Sequence, residues 1–289
     1  MWERDGVLVV RRALGAADAE RLARAIIEKS IEARVAHSPL VGDAGNSRDI
    51  NLIDAHCALS ELLSLVDCSP VFRAVLGIMG PRIQVGGIET LCRYPSEQMN
   101  LPLHTDGGSS LRSITLSTGR PIQIKAQIIL TDTTIPGSGA FTYVPGSQWY
   151  LLEPEQLSSA TARSVDLLLE AGDAVIFPWS LWHGASRKTS ETPRVSVVIR
   201  YTQLWARQAF SSMERHRAIE RQSLSERRRL LLFPEERNPR DSGECYYKWD
   251  DASLLATMFG QEWSDSLDRL ACTAALTRGS RVYRSAATS

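Results

Sequence analysis

The chain has 289 residues, and its 33 lysines and arginines are balanced by 33 aspartates and glutamates, for a formal net charge of zero. That balance argues against a general electrostatic grip on nucleic acid or an anionic membrane. Five scattered cysteines with no CxxC pair argue against a disulfide scaffold or a structural zinc knuckle, and no apolar run reaches the length of a membrane span.

The N-terminus, Met1 to Gly6, is charged and lacks the apolar region of a signal peptide, so a reducing cytoplasm is the expected location. Val7–Val10 reads as a short strand. Gly15 to Ala33 reads as a helix, with Leu22, Ala25, Ile26 and Ile31 as its apolar stripe. From His37 to Asn51 the periodicity stops and turn formers take over, which predicts a long loop of the kind that serves as a lid or binding segment. Leu59–Val66 and Pro70–Met79 read as two short helices, the second stopped by Gly80-Pro81. Then Arg82–Tyr94, Ile122–Leu130, Gly139–Val144, Ala174–Phe177 and Val195–Tyr201 form a series of strand-like runs rich in β-branched residues. Strands at this spacing with few helices between them predict a sandwich or jelly roll.

Beyond Trp205 the character changes. Gln208 to Arg229 is a charged helical stretch in which Glu214, Glu220 and Glu226 accompany Arg227-Arg228-Arg229, so a solvated helix face is expected there and not a nucleic-acid patch. Asn238–Gly243 reads as a linker and Ala252–Leu276 as an amphipathic helical region, expected to cover a sheet face or to form a homodimer contact. The expected organisation is one domain over residues 1–289. It has an N-terminal helical part over 1–81, a β core over about 82–205 and a C-terminal helical extension over 206–289.

The chemistry is concentrated in Leu101-Pro102-Leu103-His104-Thr105-Asp106-Gly107-Gly108. In an extended segment residues two apart share a face, so His104 and Asp106 can aim a nitrogen and a carboxylate oxygen at one point. That is two thirds of a facial 2-His-1-carboxylate set, which suits non-haem Fe(II) and leaves positions open. Among the remaining histidines, His183 follows a β-run and a turn. His37, His56 and His216 read as loop or surface residues, His216 on the solvated helix. Arg194 stands 194 − 183 = 11 residues after His183 and opens the strand Val195-Ser196-Val197-Val198-Ile199. An arginine entering an apolar strand needs an anion, and its guanidinium grips a carboxylate through two parallel hydrogen bonds. Ser196 shares its face and can add a hydroxyl. Singly, these residues have plain readings: His183 as a core histidine, Arg194 as a surface partner of Glu191. Their joint order and spacing carry the argument. Trp149, Trp182 and Trp205 read either as pocket lining or as buried aromatic packing.

The pattern HxD, H, R resembles the Fe(II)/2-oxoglutarate-dependent dioxygenases, and within them the phytanoyl-CoA dioxygenase family. Leu130-Thr131-Asp132, Gly137-Ser138-Gly139-Ala140-Phe141 and Val144-Pro145-Gly146-Ser147-Gln148 are similar to that family's segment between the two histidines. Trp2 to Val10 is similar to its N-terminal strand, and Arg228-Leu230-Leu231-Phe233-Pro234 to a late segment. The resemblance covers roughly residues 1 to 235. It departs at Gln148, where the family has histidine, and at Ser138-Gly139, where it has Asn-Gly.

What the resemblance implies is a mainly β fold with flanking helices, a double-stranded β-helix of the jelly-roll, cupin-like kind. His104, Asp106 and His183 would hold Fe(II). Arg194, helped by Ser196, would hold the far carboxylate of the co-substrate 2-oxoglutarate, with Gln127 and Thr142 as further contacts. Dioxygen is the oxidant, and succinate and carbon dioxide are released as a substrate C–H bond is hydroxylated, desaturated, cyclised or epimerised. Asp106 disfavours halogenation, because the halogenase relatives replace that aspartate with a small residue. The turn-rich segment and the lack of a basic patch for a coenzyme A phosphate favour a small specialised metabolite over an acyl-CoA. A peptide hydroxylase is one alternative. A non-catalytic β-sandwich binding protein is the other, and its mark would be the loss of a ligand or of Arg194.

Overall fold

The computed structural model describes residues 2–42, 48–96, 99–106, 121–149 and 162–237. Within them lies a mainly β architecture of two antiparallel sheets. The larger has seven strands in the order β1-β9-β6-β11-β4-β3-β2: β1 Leu8–Val10, β2 Val41–Gly42, β3 Ile50–Leu52, β4 Ile83–Arg93, β6 Gln123–Ile129, β9 Ala174–Pro178 and β11 Arg194–Gln203. The smaller has four in the order β5-β10-β7-β8: β5 Met99–His104, β7 Phe141–Tyr143, β8 Val165–Leu167 and β10 His183–Arg187. The two sheets form the double-stranded β-helix expected from the resemblance, and among the described residues no helix is long and apolar enough to cross a membrane.

Strand alternation divides the large sheet into two chemically different faces. Ile124, Ala126 and Ile128 on β6, Ala174 and Ile176 on β9, and Val195, Val197 and Ile199 on β11 all join the main apolar core. After the one-turn helix α1 (Trp2–Asp5), helices α2 (Ala16–Val35) and α3 (Ser69–Met79) cover that face with Leu22, Ile26, Phe72 and Val75. The intervening residues, among them Lys125, Gln127 and Arg194, line a cavity on the opposite face. A second core between the sheets joins Ile129, Phe141, Tyr143, Val175, Phe177 and Leu181. Each large side chain fully buried this way contributes about 1.5–3 kcal/mol. At the end of α3, Gly80 takes φ 76°, which side chains with a Cβ avoid.

Several expectations are corrected. In α2 the buried stripe is Ala19, Leu22, Ala23, Ile26, Ser30 and Ala33. Ile31 lies roughly 140° from Ile26 around a helix of 3.6 residues per turn and is exposed. The segment read as a long loop, His37–Asn51, contributes β2 and the start of β3, which pair and extend the sheet edge from β4. Strands β1 to β3 therefore tie the mostly helical N-terminal part into the large sheet. Ser60–Leu65 is a 3-10 helix.

The stretch from Gln208 to Arg229 is not one helix, because serines restart it. Ser212 caps α4 (Met213–Arg217) and Ser225 caps α5 (Glu226–Leu232), each hydroxyl accepting a backbone N–H three residues on. The arginine run is paired, Arg227 and Arg228 with Asp67 and Arg229 with Glu236. His56 and His216 are buried, not surface residues. Trp149 and Trp205 are exposed and Trp182 is half-buried. Asn238–Gly243 and Ala252–Leu276 lie outside the described residues.

Candidate metal centre

His104 ends β5 and His183 opens β10, and the two are directly paired across adjacent antiparallel strands. Their rings lie side by side with centroids 4.5 Å apart. Each ring is oriented by its own backbone. His104 Nδ1 lies 2.9 Å from the Pro102 carbonyl and His183 Nδ1 lies 2.9 Å from the Leu181 carbonyl. A carbonyl only accepts, so each Nδ1 carries a hydrogen and each Nε2 is the ring nitrogen turned towards the Asp106 carboxylate.

Asp106 is not on the strand with His104, because the chain leaves β5 at Thr105. Its place is set instead by its N–H, which donates to the Trp179 carbonyl at 2.9 Å in the turn between β9 and β10. The carboxylate nevertheless reaches both rings, with Oδ1 3.9 Å from His104 Nε2 and Oδ2 3.8 Å from His183 Nε2. One donor atom from each of the three residues lies within 4.8 Å of the other two, and no other such group occurs among the described residues.

The electrostatics suit a cation. Burial pushes His183 down to about 4, so its imidazole is neutral at physiological pH and free to donate its lone pair. Burial works to raise the Asp106 carboxyl. The His183 imidazole, the Lys125 ammonium and the His104 imidazole outweigh that and hold it below the usual carboxylate range. Asp106 Oδ2 is buried with no hydrogen-bond partner among the described residues, an arrangement that is costly unless something positive sits against it. Two imidazole nitrogens and one carboxylate oxygen on one side of a point fit a non-haem Fe(II) with open positions.

A cavity of about 180 Å³ opens beside the triad, lined by His104, Lys125, Gln127, Phe141, His183 and Arg194 among others. Phe177 and Phe141 flank the His183 ring at centroid distances of 4.6 and 5.7 Å. Arg194 is 3 % exposed. Burial, and then the adjacent Arg93, lower its guanidinium to about 10, so it remains charged at neutral pH. Among the described residues it has no carboxylate in ion-pair distance, Glu191 included, and its Nε has no hydrogen-bond partner. Arg93, paired across the strands with Arg194, is matched to buried Asp49 at 3.1 Å.

Of the other residues singled out from sequence, Gln127 lines the cavity and donates to Ser196 Oγ at 2.8 Å. Ser196 is fully buried and reaches the cavity only through Gln127. Thr142 points the other way. Its neighbour Phe141 faces the cavity, and its own hydroxyl bonds Asp166 on β8. Sequence reasoning passed over Lys125 and Glu89, both on the cavity wall. The signal for Lys125 was the one that exposed Arg194, a cation inside an apolar strand, here Ile124-Lys125-Ala126. A larger surface groove of about 530 Å³ beside Ile31 and Val35 contains none of these residues.

A protein-family model, that of phytanoyl-CoA dioxygenase (PhyH), matches residues 2–196. Among solved structures the chain is similar to HygX from Streptomyces hygroscopicus with nickel, 2-oxoglutarate and hygromycin B bound. The TM-score is 0.57 at 21% identity, over 72% of this chain and 86% of that one. It is also similar to a nickel complex of the non-haem monooxygenase ThoJ, with a TM-score of 0.52 at 24% identity, over 70% of this chain and 75% of that one. At these identities the two structures speak for the fold.

Proposed function

The chain belongs to the phytanoyl-CoA dioxygenase family and is an Fe(II)- and 2-oxoglutarate-dependent oxygenase, and from that premise we propose which of its residues carry the chemistry. His104, Asp106 and His183 hold the iron. Arg194 takes the far carboxylate of 2-oxoglutarate, and the Gln127 amide, backed by Ser196, lines the same path. Thr142 has no part in the site. With metal and co-substrate bound, the centre couples oxidative decarboxylation of 2-oxoglutarate to oxidation of a substrate C–H bond.

The observation that carries this reading is one cavity reached by two incomplete arrangements. One is a set of three converging donor atoms, and the other is a buried guanidinium without a described carboxylate. The protein's own contributions follow from its side chains. Both imidazoles are held by backbone carbonyls through Nδ1–H, which leaves each Nε2 as the atom facing the metal position. Arg194 is 3 % exposed on the wall of the same cavity, and a bidentate carboxylate gains more from a guanidinium buried in this way than from one in water. Phe141 and Phe177 keep water from the His183 side.

The substrate we infer is a small organic molecule of the specialised-metabolite kind. HygX carries hygromycin B in a similar fold. Here Glu89 and Asn51 line the cavity and offer polar contacts to such a ligand.

The deciding experiment is anaerobic addition of Fe(II) and 2-oxoglutarate to metal-free protein, watching for the visible charge-transfer band of the chelate. Its appearance in wild type and loss in His183→Ala supports the assignment. A folded wild type that shows no band overturns it.

A further inference from the structure

Lys125 enters the cavity from β6, in register with Arg200 on β11 and Phe177 on β9. Its neighbours Ile124 and Ala126 are committed to the outer core, so the strand leaves its side chain only the inner face. There its Nζ donates to Asp106 Oδ1 at 2.7 Å, with both side chains mostly buried. The other oxygen, Oδ2, has no hydrogen-bond partner among the described residues and lies towards His183 Nε2. The two oxygens are thus unequal: Oδ1 takes the ammonium and lies 3.9 Å from His104 Nε2, while Oδ2, with no described hydrogen-bond donor, faces His183 Nε2 at 3.8 Å. Arg200, the nearest other cation along the strand pair, is engaged by Glu89 at 2.9 Å and does not compete for Asp106.

We propose that Lys125 is a positioning residue that makes Asp106 a one-oxygen metal donor and so keeps a coordination position open. The proposal rests on the reading of His104, Asp106 and His183 as the metal donors. A carboxylate beside a divalent cation can close on it with both oxygens. Doing so here would break a charge-assisted hydrogen bond and leave a buried ammonium without its partner. An octahedral ion with three protein donors has three positions left, which a chelating co-substrate and dioxygen fill. A chelating Asp106 would take one of the three.

The test uses Co(II) as the metal, read by its visible absorption, whose intensity falls as coordination number rises, and then by titration with 2-oxoglutarate. Lys125→Met is expected to bind Co(II) with a changed band intensity and to bind 2-oxoglutarate about tenfold more weakly or worse. Lys125→Arg, which restores the cation, is expected to recover both. Metal-free melts check folding, and Lys125→Gln takes the place of Lys125→Met if the latter does not fold. A Lys125→Met protein indistinguishable from wild type in both readouts overturns the role of Lys125 alone, provided Asp106→Ala and His183→Ala still lose Co(II). If those two variants bind Co(II) as wild type does, the metal reading fails and takes the proposal with it.

Discussion

His56 Nε2 lies 3.2 Å from His216 Nδ1, joining a turn near the start of the chain to helix α4. His216 Nε2 donates to the Leu232 carbonyl at 2.9 Å, so its Nδ1 is an acceptor and His56 Nε2 must carry the hydrogen. Both rings are therefore neutral in the folded chain, and Phe210 and Phe233 stack on His216. Burial, then His216, bring His56 down to about 4 against the pull of Asp54, and burial lowers His216 as well.

A pH dependence of stability follows. The unfolded chain takes up protons at these imidazoles near their ordinary value of 6.5, and the folded chain does not. Stability is therefore complete above about pH 6.5 and falls as pH drops towards 4. For His56 alone the loss is about 3 kcal/mol. Urea midpoints measured from pH 7.5 to 4.5 should fall more steeply for wild type than for His56→Gln. Parallel slopes would remove the pair from the acid response.

Arg194→Ala should leave the fold intact and raise the 2-oxoglutarate requirement about a hundred-fold or more. Removing one partner of a buried charge pair costs about 3–5 kcal/mol. Succinate release as a function of 2-oxoglutarate concentration reads this directly. Arg194→Lys should recover part of the loss, since it returns the charge without the planar fork. An unchanged requirement in Arg194→Ala would place the far carboxylate elsewhere.

Asp106→Ala and His104→Ala should abolish metal-dependent turnover while leaving the metal-free melting temperature within a few degrees of wild type. Neither side chain belongs to an apolar core. Wild type should gain about 2.7 kcal/mol at a metal concentration a hundred times its dissociation constant, and the variants should gain none. Calorimetric scans with and without Ni(II) make the comparison, and a retained metal-induced shift in both variants would count against them as donors.

Tyr201 is fully buried against α3, and its hydroxyl donates to the Val66 carbonyl at 2.9 Å. Tyr201→Phe should cost about 0.5–1.5 kcal/mol and Phe72→Ala about 3–5 kcal/mol, both in denaturant unfolding and neither through the site. A Phe72→Ala cost below that of Tyr201→Phe would mean that the helical layer is held by something other than this packing.

How much of this was legible in the chain depends on the range of the interaction. The strand runs were readable because alternation is local. The pairing of His104 with His183 was readable because strands bring an HxD segment and a later histidine together, whereas Asp106 is placed by its bond to the Trp179 carbonyl. Arg194 stood out because an apolar strand makes a cation conspicuous. The same conspicuousness belongs to Lys125 between Ile124 and Ala126. His56 and His216 were unreadable because their burial depends on each other across 160 residues. Thr142 was misjudged through strand parity, since a β-run of three residues does not announce which face is the inner one. The breaks between Gln208 and Arg229 were written in Ser212 and Ser225, where charge composition concealed the caps.

The two faces of the large sheet have a consequence for how this enzyme can change. Glu89, Leu91 and Val198 face the cavity, while their strand neighbours Ile88, Cys92, Val197 and Ile199 sit in the helix-covered core. A combinatorial library confined to the first three therefore explores new substrates without touching the packing that keeps the protein folded. Insertion or deletion of a single residue within β4 or β11 does the reverse, exchanging charged and apolar faces together. New substrates are therefore reached on this scaffold by point substitution at alternate positions of a strand whose register is kept.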